Sequence, residues 1–510
     1  MKTVEHPGAS PQTAPASPQG HPRGLYTLFF TEMWERFSYY GMRGLLVLFM
    51  SNAVQKGGMG MTDEVANSIY GLYTAMVYLA SLPGGWIADR LLGAQRTVWY
   101  GGIIIAAGHF TMAIPRSDTF FLGLVLVVIG TGLLKPNISA VVGGLYPEGG
   151  TRRDAGFSIF YMGINLGAFL GPLVCSSLGE NPKFGWHWGF AAAGFGMVLG
   201  LIQYHFSRKH LGEAGLRPGH TEPLGFGGRL VLFGVLAALV LAIGLCLAGV
   251  LHPEPVALAQ FAKKFILAVA VLYFAGIFLF CKLDSIERKR VVLIVILFVG
   301  AALFWAGFEQ AGSFFNLFAE RHTNRTTGWL VSLSGSATGE YPAGWFQSIG
   351  PIFVITLSPV AGAVWIWLAR RHLDPSIPIK FGLGLLFLAI GFAVMAGASI
   401  LVAGGKQVGP SWLIMTYLVH TFGELCLSPV GLSSVTKLAP KRLVGQLMGT
   451  WFVASSFGNL LAGLFAKDFK EDALQDWPWL CTKMIIAGGV AGLLLIVCFK
   501  PIKKLMAGVR

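Results

Sequence analysis

Charge is scarce in this chain. Only 12% of its 510 residues are Asp, Glu, Lys or Arg, about half of what an average soluble domain carries. That scarcity excludes an ordinary water-soluble fold. Cysteine is also sparse, with Cys175, Cys246, Cys281, Cys426, Cys481 and Cys498 scattered through the chain. No two fall into a disulfide-rich or metal-ligand spacing, so they read as small buried hydrophobes. Acidic residues number 24 against 38 basic ones, a formal net charge of +14. That balance suits a nucleic-acid partner only if the basic residues cluster, and they do not. Residues 1–24 are rich in Pro, Ser, Gly and Ala without an apolar core, which excludes a signal peptide and predicts a disordered cytoplasmic tail. No nucleophile–base set, metal cluster or nucleotide motif is evident, so the chain does not read as an enzyme.

What is abundant is apolar sequence. Hydrophobic residues make up 54%, the mean hydropathy is +0.64, and there are 68 glycines, small residues that let membrane helices approach closely. Apolar runs of about 20 residues, the length that spans a bilayer as helix, occur fourteen times. They lie near 25–51, 65–90, 96–114, 119–146, 155–178, 185–206, 226–251, 260–281, 290–319, 344–370, 379–402, 411–437, 443–467 and 477–500. Most Lys and Arg sit in alternate loops, among them Arg152 and Arg153, Arg208 and Lys209, Arg288 to Arg290, Arg370 and Arg371, Lys441 and Arg442, and Lys500 to Lys504. The positive-inside bias places both termini in the cytoplasm.

The fourteen spans divide as six, an inserted pair and six. The predicted units are the tail 1–24, an N-terminal six-helix half 25–207, a basic loop with the inserted pair 208–288, and a C-terminal six-helix half 289–510. The pair reads as an apolar, lipid-facing scaffold without charge at depth. The two halves would each supply one wall of a central cavity, as in two-halved secondary transporters.

Charges inside the spans are few and specific: Glu32, Glu35, Arg36 and Arg43 on the first, Lys135 on the fourth, Glu309 on the seventh core span and Glu424 on the tenth. At 100° per residue Glu32, Glu35, Arg36, Tyr39, Tyr40 and Arg43 share one face of helix. Lipid does not tolerate such a face, so it must point into protein or water. Three positive and four negative groups suit re-pairing ion pairs with one carboxylate free to take a proton. A fixed salt-bridge network that only holds helices together is the blander reading.

These residues also carry a resemblance. Glu32-x-x-Glu35-Arg36-Phe37 followed by Tyr39-Tyr40-Gly41, then GGWIADRLLGAQRTV (84–98), FSIFYMGINLGAF (157–169) and FGELCLSPVGLS (422–433), resembles the proton-dependent oligopeptide transporter (POT, or PTR) family of the major facilitator superfamily, bacterial type. The resemblance implies an all-α integral membrane fold with twelve core helices in two halves plus the inserted pair. It implies a proton-coupled symporter that imports di- and tripeptides by alternating access, working as a monomer in the bacterial inner membrane, with protons as the coupling ion and no cofactor or metal. By the same resemblance Arg43 and Lys135 receive the peptide carboxylate and Glu424 its ammonium group. Tyr40, Tyr78, Asn165, Trp305 and Trp451 line the cavity. Glu32, Glu35, Arg36 and Glu309 handle protons, Glu309 pairing with Arg43. Asp89 and Arg90 tether neighbouring helices during rocking. Two points depart from the family or stand apart from it. Gly350 replaces an asparagine that helps hold the peptide's amino end in many relatives. His420, four residues before Glu424, reads first as a hydrogen bonder to a neighbour and second as a group that tunes that carboxylate. A carrier of nitrate or another small anion on the same fold is the nearest rival, and Glu424 argues against it.

Overall fold

A computed structural model describes residues 20–507 apart from 149, 219–224 and 337. The expected tail therefore lies almost wholly outside the described residues. Helices account for nearly every span. They are α1 (Arg23–Ser51), α2 (Asp63–Leu79), α3 (Ser81–Ile87), α4 (Ala94–Met112), α5 (Ser117–Gly144), α6 (Gly150–Gly179), α7 (Trp186–Ser207), α8 (Phe226–Leu247) and α9 (Pro255–Phe280). The series continues with α10 (Ser285–Phe308), α11 (Phe314–His322), α12 (Gly328–Ser334), α13 (Ile349–Arg370), α14 (Ile377–Ala403), α15 (Ser411–Leu438), α16 (Val444–Ala466), α17 (Trp477–Val497) and α18 (Phe499–Leu505). Ten helical stretches among the described residues are long and apolar enough to cross a membrane. With α1, the α2–α3 rod, α4 and α8 they give the fourteen rods expected from the apolar runs.

Close packing follows from small residues. On α6, Gly163, Gly167 and Gly171 recur every fourth position and face α1. A Cβ at Gly167 or Gly171 would overlap the carbonyl groups of Met33 and Phe37. The four-residue spacing is the stripe that brings membrane helices into backbone contact, and it lies inside and just beyond the FSIFYMGINLGAF stretch. Two rods are broken. The chain between α10 and α11 winds as 3-10 helix over Glu309–Gly312, and α2 gives way at Ala80 to α3 and a π-helical turn over Ala88–Leu92. Discontinuous helices of this kind mark binding regions in transporters, because they turn backbone and side chains toward a cavity.

The inserted pair corrects one expectation. Helix α9 docks on α2 and α16 through Ala259, Ala262 and Ile266, which meet Ala75, Leu460 and Leu464. It is not free of charge, however: Lys263 and Lys264 occupy its third turn, with Lys264 exposed. Long lysine stems can carry their ammonium groups to the headgroup level. Helix α8 shows exposed side chains along nearly its whole described length.

Candidate functional site: a charged cavity between the halves

Six of the seven intramembrane charges converge on one cavity. A cavity of about 330 Å³ is walled by Glu32, Arg36, Tyr40 and Arg43 of α1, Tyr78 of α2, Lys135 of α5, and Tyr161 and Asn165 of α6. Its other wall holds Trp305 and Phe308 of α10, Glu309, Gln347, Gly350 and Val354, His420 and Glu424 of α15, and Phe452 of α16. One half supplies the first wall and the other half the second. The volume lies in the range of sites for small ligands.

Two ion-pair groups organise the floor and the ceiling. On α1, Arg36 donates from Nη2 to Glu35 Oε1 at 2.7 Å, contacts Glu35 also through Nε, and lies 3.3 Å from Glu32 Oε1. Glu35 is fully buried and faces Arg36, away from the cavity wall. Glu32 lines the cavity, and its buried Oε2 has no hydrogen-bond partner among the described residues. Two turns further on, Arg43 Nη2 sits 2.9 Å from Glu309 Oε2, and its Nε donates to the Tyr70 hydroxyl at 2.8 Å. The guanidinium also lies 5.3 Å from the Tyr40 ring centroid. Gly312 makes room for this: a Cβ there would collide with the Tyr70 hydroxyl and come within 2.8 Å of Arg43 Nε. The 3-10 break thus brings Glu309 against α1 and leaves space for the pair.

Lys135 is placed differently from the carboxylates on its wall. Its Nζ lies 3.9 Å from the centroid of the Tyr78 ring, a cation–π position that keeps the ammonium available to an incoming anion. Across the cavity, Glu424 lines the second wall and the Tyr161 side chain the first. Asn165 donates to the Tyr161 carbonyl at 3.0 Å. His420 Nε2 contacts the Leu388 carbonyl at 3.3 Å, the neighbour-bonding arrangement, and its ring also faces the cavity. Beside Gly350 a Cβ would find nothing within 4 Å, so the departure leaves open volume.

Two expected placements need correction. Trp451 does not reach the cavity wall. Its ring fills the space over Gly431 and meets Phe381 edge-on at 6.3 Å, while Phe452, about 100° round α16, faces the cavity. Asp89 is exposed and Arg90 partly so, and neither forms an ion pair among the described residues. The turn they occupy is held by backbone instead. Gln95 donates from its side chain to the carbonyls of Gly212 and Ala214, and from its backbone to Gly215. Gly93, at φ +78°, leaves room for the Leu216 carbonyl. Tyr70, Tyr161, Gln347 and Phe452 are site residues not singled out in the sequence. Tyr161 had a signal, four residues before Asn165 in a quoted motif, whereas Gln347 depends on the short 3-10 helix Ala343–Ser348 that precedes α13.

Comparison with known proteins agrees with this geometry. The model of the POT family matches residues 95–480. A peptide transporter of Yersinia enterocolitica, YePEPT, is 44% identical over 96% of each chain. The chain belongs to the POT family. A di-/tripeptide transporter of Lactococcus lactis subsp. cremoris is 36% identical to this POT-family chain, over 96% of it and 98% of the relative. The crystal structure of a glutamate-to-glutamine mutant of peptide transporter POT in complex with alafosfalin superposes with a TM-score of 0.85 at 39% identity, covering 96% and 97% of the two chains. The fold is accordingly the all-helical, two-halved arrangement of these transporters, with the inserted pair.

Proposed function

We propose that this chain is a proton-coupled symporter that imports di- and tripeptides by alternating access. The observation that carries the reading is the composition of one cavity: Arg43 and Lys135 on one wall, Glu424 on the other, and the Arg43–Glu309 pair where the halves meet. Every short peptide offers a carboxylate and an ammonium group, so cations and an anion facing across a gap recognise the class without reading side chains. The relatives named peptide and di-/tripeptide transporters, and the neighbour that binds alafosfalin, support the same substrates. An anion carrier has no use for a carboxylate at Glu424.

The mechanism follows from re-pairing. Arg43 is held by Glu309 in the state described, and a peptide carboxylate or a proton on Glu309 competes for that bond. Glu32, with one oxygen unpartnered, is the α1 carboxylate that faces Lys135, and Glu35 and Arg36 hold it in place. Tyr40, Tyr78, Asn165 and Trp305 shape the cavity, while Trp451 supports α15 from outside it. Asp89 and Arg90 belong to the loop that moves with the halves. The protein acts in the cytoplasmic membrane with both termini inside, as a monomer, with protons in place of any cofactor, and not as an enzyme. The halves are 25–207 and 289–510, with 208–288 as the inserted unit. With this orientation the loop end holding Asn52, Asp63 and Arg321 faces outward.

In liposomes, an inward proton gradient should drive dialanine uptake. Nitrate uptake in its place would move the protein to the rival reading. Glu309→Gln should reduce gradient-driven uptake to background while dialanine counterflow, which moves no net protons, persists. Undiminished gradient-driven uptake by Glu309→Gln would refute the proton role.

A further inference from the structure

The outer side of the seam between the halves carries a second, uncharged-to-charged contact that the central site does not use. Before α13 the chain winds as 3-10 helix over Ala343–Ser348, and this segment lies along one face of α6. Ser348 Oγ donates to the Phe169 carbonyl at 2.7 Å, and Trp345 Nε1 reaches Ser177 Oγ at 3.0 Å and the Leu173 carbonyl at 3.1 Å. At the outer end Glu180, one residue past α6, closes the row. Its Oε2 accepts from the Ala343 N–H at 2.7 Å and its Oε1 from the Gly344 N–H at 2.9 Å. Positions 169, 173, 177 and 180 fall on one helix face. The approach leaves no room for a side chain at 344, where a Cβ would overlap Ser176 Oγ.

Three features set Glu180 apart from an ordinary packing contact. It bonds two backbone donors across the halves with one carboxylate, a charge-assisted and bidentate arrangement stronger than neutral hydrogen bonds. It borders an outer cavity of about 760 Å³, shared with Lys56, Glu320 and Arg325, from which water can compete for those donors. And the segment it holds reaches the central site: Gln347 donates to the Ala311 carbonyl in the Glu309–Gly312 turn, and Gly350 of α13 lines the cavity.

Resting on the transporter reading above, we propose that Glu180 is the latch of the outer gate: its carboxylate holds the start of α13 on α6 while the outer side is closed, and outward opening breaks these two bonds. It is a positioning residue, distant from the peptide clamps. Burial pushes its carboxyl up to about 7, against the pull of Arg325 and of the two N–H groups, so at pH 8 the carboxylate form predominates.

The test is pulsed electron–electron resonance at pH 8 in nanodiscs, without substrate. Spin labels are placed at Val54 and Trp329, exposed tips of the two halves, in a background with the native cysteines replaced. Glu180→Ala should raise the ratio of wide to narrow mouth distances by about fivefold or more, the usual scale of a coupled conformational shift. Glu180→Gln, which keeps one acceptor oxygen, should fall between it and the unsubstituted chain, and it carries the test if the alanine variant does not fold. Ser177→Ala should leave the distances unchanged, because the Leu173 carbonyl still accepts from Trp345. Superimposable distances in both Glu180 variants overturn the latch, as does an equal shift in Ser177→Ala. Because no peptide is present, a failed latch is distinguishable from a failed transport assignment, which the dialanine assay decides.

Discussion

Helices α1 and α8 are both long enough to enter a bilayer, and they live in different solvents. Helix α1 holds Glu32, Glu35, Arg36 and Arg43, each with 5% or less of its surface exposed, and is wrapped by α6 and α7. Helix α8 carries no Asp, Glu or Lys and exposes Leu230, Phe233, Val235, Leu236, Val240 and Leu241. The difference teaches that depth in a membrane does not set the cost of a charge; the available partners do. Arg36 has two carboxylates and the Tyr39 ring at 5.0 Å. On α8 the neighbours are lipid, and a charge there would have to snorkel or remain unpaired.

The largest effect should come from removing a charge where charges are paired. Arg36→Leu leaves Glu32 and Glu35 buried without their cation, and breaking a buried pair on one side costs about 3–5 kcal/mol. The thermal transition in detergent should fall sharply, and combining it with Glu35→Gln should recover part of the loss. No recovery would mean that Arg36 acts through packing and not through charge.

The converse substitution should cost less. Leu236→Arg places a cation at the centre of α8, where insertion scales give about 2.5–3.5 kcal/mol before relaxation. A membrane-insertion assay on the α8 segment should show the drop, while peptide binding by the fraction that inserts stays unchanged. Altered binding would place α8 closer to the transport path than its packing indicates.

The contrast between α1 and α8 was legible in the sequence, because charge among apolar residues at helical spacing is a strong pattern. The fourteen rods were legible for the same reason, and so were the four motifs. The missed features depend on what approaches from elsewhere in the chain. Trp451 and Phe452 are adjacent and equally aromatic, and only the rotation of α16 decides which one meets the cavity. Glu180 carries no mark in the sequence, since its two donors are backbone groups 163 and 164 positions away. The Asp89–Arg90 turn is similar: its ties are carbonyls of residues 212–215, and backbone contacts leave no mark in side-chain patterns. Lys263 and Lys264 fall in the first turn of the span expected at 260–281 but in the third turn of α9, which begins at Pro255.

The smallest effect tests the comparison at the water-facing rim. Lys467, just past α16, meets Glu64 Oε1 at 3.1 Å across the halves, and also lies 3.4 Å from Asp468. Burial lowers the proton affinity of this ammonium, but Glu64 and Asp468 more than offset that and hold it above its usual 10.5. A lysine whose folded value is raised contributes stability that is complete below the ordinary value and is lost only as pH rises through the raised one. Between pH 6 and 9 the pair should therefore contribute a constant amount, and exposed pairs contribute about 0–1 kcal/mol. Glu64→Gln should shift the thermal transition by a degree or so at low salt and not measurably at high salt, where screening removes most of the attraction. A loss comparable to that of Arg36→Leu would show that the rim pair is shielded from water as the α1 cluster is, and the distinction between partnered depth and solvated surface would fail at this position.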